Sequence, residues 1–276
     1  MTIQRVGPFD VFYWNPWALG RWVGRHGFPR LGRRLRFGPR VNNFGDLLGP
    51  RVAAGVLAAD AAAAGPPTQR RRLLTVGSAL QFAQDGDIIW GTGRHGDIPP
   101  EMHTFTALDV RAVRGPLTRE FLLERGIDCP EVYGDPALLL PILEPRWAQV
   151  AKRHAYTVVP NLHEWQRYRR HPQAISPRAP LDDVLERIAA SDMVVGSSLH
   201  GAIIAESLGI PAAIVAGPGL GPVRYLDYYA GTGRQSVPLA DNVDAALKLI
   251  ASGDSRISSG TSGWSPGPLL SAFPKI

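Results

Sequence analysis

Within residues 191–211, SDMVVGSSLHGAIIAESLGIP, His200 follows Ser197 and Ser198 and precedes Gly201. An imidazole is the side chain best suited to moving protons near neutral pH. The apolar run before the serines reads as a strand and the run after them as a helix, so His200 falls in a first helical turn. Ser197 or Ser198 can cap that helix, and the remaining backbone N–H groups can take an anion beside the ring. The plainer reading is a histidine that only hydrogen-bonds at a strand end. The Gly-Ser-Ser turn and Gly201 favour the chemical one.

Other segments place reactive side chains at similar points. In VRAVRGPLTREFLLERG, Arg114 ends a strand and Gly115-Pro116 opens a helix. A guanidinium there can fork onto a carboxylate or phosphate, or can sit idle at a helix start. In VYGDPALLLP, Asp135 can orient a histidine or arginine across a cleft, or can simply form a turn before proline. Asn43, Gly45 and Asp46 precede a helix and suit a substrate hydroxyl, with a plain N-terminal cap as the alternative for Asp46. Gly77-Ser78 and Gly91/Gly93 follow strands, where glycine lets a ligand approach the backbone. His163 follows a strand of the second half, beside Glu164. Arg224, Tyr225, Asp227, Tyr228 and Tyr229 form a polar aromatic cluster suited to a sugar or to packing. The seven histidines are scattered, and no HExxH, CxxC, EF-hand, dinucleotide or P-loop spacing occurs, so neither a metal nor a cofactor is expected.

The elements that must carry these residues alternate as strand and helix, the pattern of βαβ units and a mostly parallel sheet. Strands are predicted over 73–76, 87–90, 107–113, 131–133, 156–159, 193–196 and 212–215. Helices are predicted over 47–60, 116–125, 181–190, 199–208 and 241–251. Prolines 141 and 145 break the alternation and divide an N-terminal lobe, 1–143, from a second doubly wound unit, 144–251. Residues 252–276, rich in Gly, Ser and Pro, predict a loosely ordered tail, and 167–180 a mobile loop over the cleft. Ligands of open parallel sheets lie at the carboxyl ends of the strands.

The chain has 276 residues, 45% hydrophobic and 20% charged, enough for an ordinary globular core. A single cysteine, Cys129, excludes a disulfide framework. With no signal-like apolar segment or membrane-length run, a cytoplasmic protein is expected. The net charge of +6 is concentrated between Arg21 and Arg51, where eight arginines face one acid, Asp46. That surface attracts anions such as acidic saccharides, phosphorylated substrates or lipid headgroups. Trp14, Trp17 and Trp22 beside it suit either a core or peripheral contact with the inner face of a membrane. No nucleic-acid-binding motif accompanies the charge, which argues against DNA or RNA.

Taken in order, NFGD, GSAL, WGTG, VRGPLT, YGDPALLLP, SSLHGAIIAESLGIP and RYLDYY resemble the polysaccharide pyruvyltransferases, in particular the branch forming ketals on bacterial exopolysaccharides. The resemblance covers about residues 41–230. It implies two Rossmann-like lobes similar to the GT-B glycosyltransferases. It also implies transfer of pyruvyl from phosphoenolpyruvate to two hydroxyls of a saccharide acceptor, which is free or lipid-linked, with release of phosphate. His200 falls on the family's active-site histidine and Arg114 on an arginine for the phosphoenolpyruvate anion. Relatives carry Arg where this chain has Ser198, which leaves Arg224 or Arg178 to hold the phosphate. Three other functions use parts of the same pattern: a nucleotide-sugar glycosyltransferase, a non-catalytic anion or saccharide binder, and a nucleic-acid binder through the arginines.

Overall fold

The computed structural model describes residues 2–19, 22, 31, 38–59, 70–217, 221–257 and 263–275. Most of the basic stretch, including Arg21, Arg25, Arg30, Arg33, Arg34 and Arg36, lies outside the described residues.

The first sheet opens with a hairpin that the strand and helix alternation did not anticipate. Strands β1 (Thr2–Val6) and β2 (Phe9–Tyr13) pair antiparallel, with Val6 opposite Phe9. Gly7, at φ 52°, makes the tight turn between them. Parallel pairing then adds β3 (Arg71–Leu74), β4 (Ile88–Trp90) and β5 (Asp109–Ala112) in sequential order. The predicted strand over 131–133 is reduced to one bridge, Val113 to Tyr133. Helix α1 (Phe44–Ala59) buries Phe44, Leu48, Val52, Ala53 and Val56, one face at helical spacing. It begins three residues before the predicted start, so the NFGD segment forms its first turn. Helix α2 (Pro116–Leu123) has proline in its first turn, and Gly126 follows it at φ 72°.

Beyond the short helix α3 (Leu140–Leu143) comes the second sheet, again parallel and sequential: β6 (Thr157–Val158), β7 (Val194–Gly196), β8 (Ala212–Val215) and β9 (Leu239–Ala240). Its helices are α4 (Trp165–Tyr168), α5 (Leu181–Ala189), α6 (Leu199–Ser207), α7 (Val223–Gly231) and α8 (Val243–Ala251). The architecture is α/β with two mostly parallel sheets, compatible with Rossmann-like lobes. Neither sheet reverses its strand order, so the expected doubly wound unit is replaced by sheets wound in one direction. The cleft therefore forms between the carboxyl ends of the two sheets.

Two expectations fail for a shared reason, that a few anchored residues outweigh a polar composition. The tail contains helix α9 (Pro266–Ser271), capped by Ser265. Leu269 and Phe273 are buried in the main core, and Trp90 Nε1 donates to the Leu269 carbonyl at 2.9 Å. Trp264 Nε1 donates to the Tyr133 carbonyl at 2.9 Å, so residues 263–275 pack against the first sheet. The segment 167–180 is similarly held: Ala174 bridges Val158, Tyr168 is buried, and the Pro177 carbonyl accepts from Phe44 N at 2.9 Å at the head of α1. One continuous core joins both sheets, from Phe9, Leu48 and Trp90 to Val159, Ile203 and Tyr228.

Candidate functional site

The loops that leave the carboxyl ends of both sheets enclose a cavity of about 300 Å³. From the first sheet come Trp14 after β2, Asn43 and Asp46 at the head of α1, Ser78 and Gln81 after β3, and His95 after β4. The second sheet contributes Asn161 and His163 after β6, Ser198 and His200 after β7, and Arg224 on α7. Parallel strands make this convergence unavoidable, because every crossover returns a loop to the same edge.

His200 is held on three sides. Ser198 Oγ caps α6 by accepting from Gly201 N at 3.2 Å, which fixes the turn that presents the ring. A Cβ at Gly45 would overlap the imidazole at Nδ1, so the head of α1 lies flat against it. A Cβ at Gly77 would stand 3.6 Å from Cε1. The Nε2 atom is buried without a hydrogen-bond partner, and the nearest carboxylate oxygen, Asp135 Oδ2, is 3.6 Å away. Asp135 is fully buried and itself fixed: Oδ1 accepts from Ala137 N at 3.0 Å and Oδ2 from Gly77 N at 3.4 Å. The result is a carboxylate preset beside an imidazole. A contraction of a few tenths of an ångström would bring them to hydrogen-bond distance.

A cationic corner forms at the same cavity. Arg224 is 6% exposed, its Nε has no partner, and Nη2 reaches Asp97 Oδ2 at 3.4 Å. His95 Nδ1, likewise buried and without a hydrogen bond, is 3.5 Å from the same carboxylate oxygen. Burial, and then the positive charge of Arg224, hold the His95 imidazole below its usual range. Unused donors on a buried guanidinium are costly unless an anion or a hydroxyl takes them up.

The sequence-predicted residues divide between cavity wall and support. Asn43, Asp46, Ser78, His163, Ser198, His200 and Arg224 line the cavity. Asn43 Nδ2 donates to Asp46 Oδ2 at 2.7 Å, and His163 is exposed at the rim. Asp135 and Gly77 stand directly behind His200. Ser197, Gly201, Tyr225, Gly91 and Gly93 belong to the scaffold instead. Ser197 is fully buried, its Oγ accepting from Asn161 N at 3.0 Å and its carbonyl from Tyr225 Oη at 2.8 Å. That burial pushes the Tyr225 phenol up to about 12. Gly201 packs on Val159, Gly91 on Pro136 and Gly93 on the Arg114 guanidinium.

Arg114 does not offer its fork to the cavity. It is fully buried, its Nε donating to Asp227 Oδ2 at 3.0 Å, Nη1 to Ser78 Oγ at 2.7 Å and Nη2 to the Arg94 carbonyl at 2.7 Å. The guanidinium that lines the cavity is that of Arg224. Arg178 is exposed and does not line the cavity.

Trp14, Gln81, His95 and Asn161 went unread as site residues. His95 stands two positions after Gly93 in WGTGRHGD, and that turn was the available signal. Gln81 Nε2 donates to the Ser78 carbonyl at 3.0 Å, which leaves Oε1 buried and unpartnered. No group of three or more His, Cys, Asp or Glu side chains suited to a metal occurs among the described residues. No helix among them is long and apolar enough to cross a membrane.

Comparison with known proteins bears out the resemblance drawn from the motifs. Residues 102–217 match the family described as polysaccharide pyruvyl transferase. The chain is 26% identical over 174 residues to the succinoglycan biosynthesis protein ExoV of Rhizobium meliloti (strain 1021), a match covering 58% of this chain and 54% of that protein. The chain thus spans about half the length of the curated relative it matches. No solved structure matches.

Proposed function

We propose that this chain, whose residues 102–217 belong to the polysaccharide pyruvyl transferase family, transfers pyruvyl from phosphoenolpyruvate to two hydroxyls of one saccharide residue during exopolysaccharide synthesis. The product is a cyclic ketal, and phosphate is released. The observation that carries the reading is His200: its ring abuts a buried carboxylate, Asp135, 3.6 Å from Nε2, and shares a cavity with the buried, partly unpaired guanidinium of Arg224.

Each part of the cavity has work in this reaction. Arg224, with the donors at the head of α6, takes the phosphate and carboxylate of the donor. His200, with Asp135 beside it, protonates the methylene carbon of the enol. The adjacent carbon becomes cationic, and one sugar hydroxyl attacks it, returning its proton to the imidazole. The carbon–oxygen bond to phosphate then breaks, the second hydroxyl closes the ring, and its proton leaves with the phosphate. Proximity and fixed charge supply most of the catalysis in such a scheme. Trp14, Gln81 and Asn43 of the cavity lining suit the saccharide.

The acceptor is lipid-linked in this reading and is met at the inner face of a membrane. Arg40 stacks 3.8 Å over Trp17, and Trp22 is 58% exposed, so aromatic and basic groups meet in the segment that follows β2. Cosedimentation with anionic vesicles tests this contact.

Phosphate release from phosphoenolpyruvate, measured with a panel of aryl and lipid-linked hexosides, tests the function. Release should require a saccharide and fall about 10²–10⁴-fold in His200→Ala with the fold retained. Silence across the panel, with protection by a nucleoside-diphosphate sugar, would replace pyruvyl transfer by glycosyl transfer.

A further inference from the structure

Helix α7 occupies an unusual position, wedged between the two lobes. One side is bound to its own lobe: Tyr228 Oη and Tyr229 Oη donate to Glu206 of α6 at 2.6 and 3.0 Å, and Arg234 grips the same carboxylate at 2.8 Å through both terminal nitrogens. The other side lies backbone to backbone on the turn between β5 and α2. A Cβ at Gly115 would collide with the Asp227 carbonyl, and one at Gly231 with the Arg114 carbonyl.

At the centre of this contact Asp227, fully buried, collects three donors from Arg114 and Thr118. Its Oδ1 accepts from Thr118 N at 2.9 Å, and its Oδ2 from Thr118 Oγ1 at 2.6 Å and Arg114 Nε at 3.0 Å. Arg224 lies three residues earlier on α7, hence on a neighbouring part of the same helical face. Ser78, another cavity residue, is tied to Arg114 Nη1.

We propose that Asp227 is a positioning residue: by pinning α7 to Arg114 and Thr118 of the other lobe, it aims the Arg224 guanidinium into the cavity to receive the donor phosphate. The inference rests on the reading of that cavity as the phosphoenolpyruvate site. A saturated buried ion pair holds a rigid geometry, and a guanidinium displaced by about 1 Å forfeits much of its binding.

The test is a double-mutant cycle on the full chain, with affinity for phosphoenolpyruvate and for inorganic phosphate measured by calorimetry. Arg224→Met and Asp227→Asn should each weaken binding about 10–100-fold. In the Arg224→Met background, Asp227→Asn should add almost nothing, because its effect passes through the missing guanidinium. A purely architectural aspartate would instead give additive losses, or would lower the melting temperature without changing affinity, and either result overturns the inference. If Asp227→Asn does not fold, Thr118→Val replaces it in the same cycle, removing one of the three bonds, and the same criterion of additivity applies. Wild-type protein that fails to bind phosphoenolpyruvate would sink the donor reading itself. Additive losses in a protein that binds it would sink only the role of Asp227.

Discussion

Two aspartate pairs cross from one lobe to the other, and they differ in how completely they are satisfied. Asp227 and Arg114 are both fully buried, and the carboxylate accepts three hydrogen bonds while the guanidinium donates to three different partners. Asp135 is equally buried, but it stops 3.6 Å short of His200 Nε2, which has no partner, and the His200 side chain is 12% exposed at the cavity. The first pair is committed largely to its own partners and holds geometry. An unsaturated pair at a cavity wall keeps a proton site in reserve, at a cost that a packed core offsets. The contrast sets Arg114, bound to Asp227, apart from Arg224, which lines the cavity.

The two pairs should therefore fail differently. Arg114→Met strands a buried carboxylate and should destabilise the protein by about 3–5 kcal/mol in denaturant titrations. A near-neutral result would mean that Asp227 is not an anchor. Asp135→Asn keeps an oxygen to accept from Ala137 N, so its melting temperature should move little. Its rate of phosphate release should nevertheless fall about 10–100-fold, the worth of a charge-assisted hydrogen bond to the imidazole. Equal losses of stability in the two variants would erase the distinction. The smallest effect concerns the cationic corner. Burial and Arg224 lower the His95 pKa, so Arg224→Met should raise it toward the ordinary imidazole range in an NMR titration, and phosphoenolpyruvate binding to the wild type should raise it too. A His95 resonance indifferent to both would separate it from Arg224.

Much of the cavity wall was legible because its residues follow apolar runs that can only be strands. His200, Ser198 and Ser78 each follow a strand, while Asn43 and Asp46 stand at the head of a helix, and local pattern is enough to find such points. Arg224 was legible for another reason, as a cation in a polar aromatic cluster. Trp14 and Gln81 carried no such mark: a tryptophan after an N-terminal hairpin and a glutamine in a short turn become wall residues only when the second sheet closes over them. Composition misled for residues 263–275, where Trp264, Leu269 and Phe273 hold a segment otherwise rich in Gly, Ser and Pro.

The sequence by itself determined the α/β alternation, the turn that presents His200 and the order of motifs that marks the family, because these depend on neighbours within a few residues. Only the tertiary structure decided the single-direction winding of both sheets, the return of α9 to the first lobe, and the fates of two similar-looking cations. Arg114 and Arg224 each stand beside a turn with an arginine's full set of donors. What separates them is that Asp227, 113 residues further on, meets one, whereas the other lines the cavity and keeps a buried Nε without a partner. Hydrogen-bond satisfaction is a property of contacts between distant segments, and no local pattern encodes it.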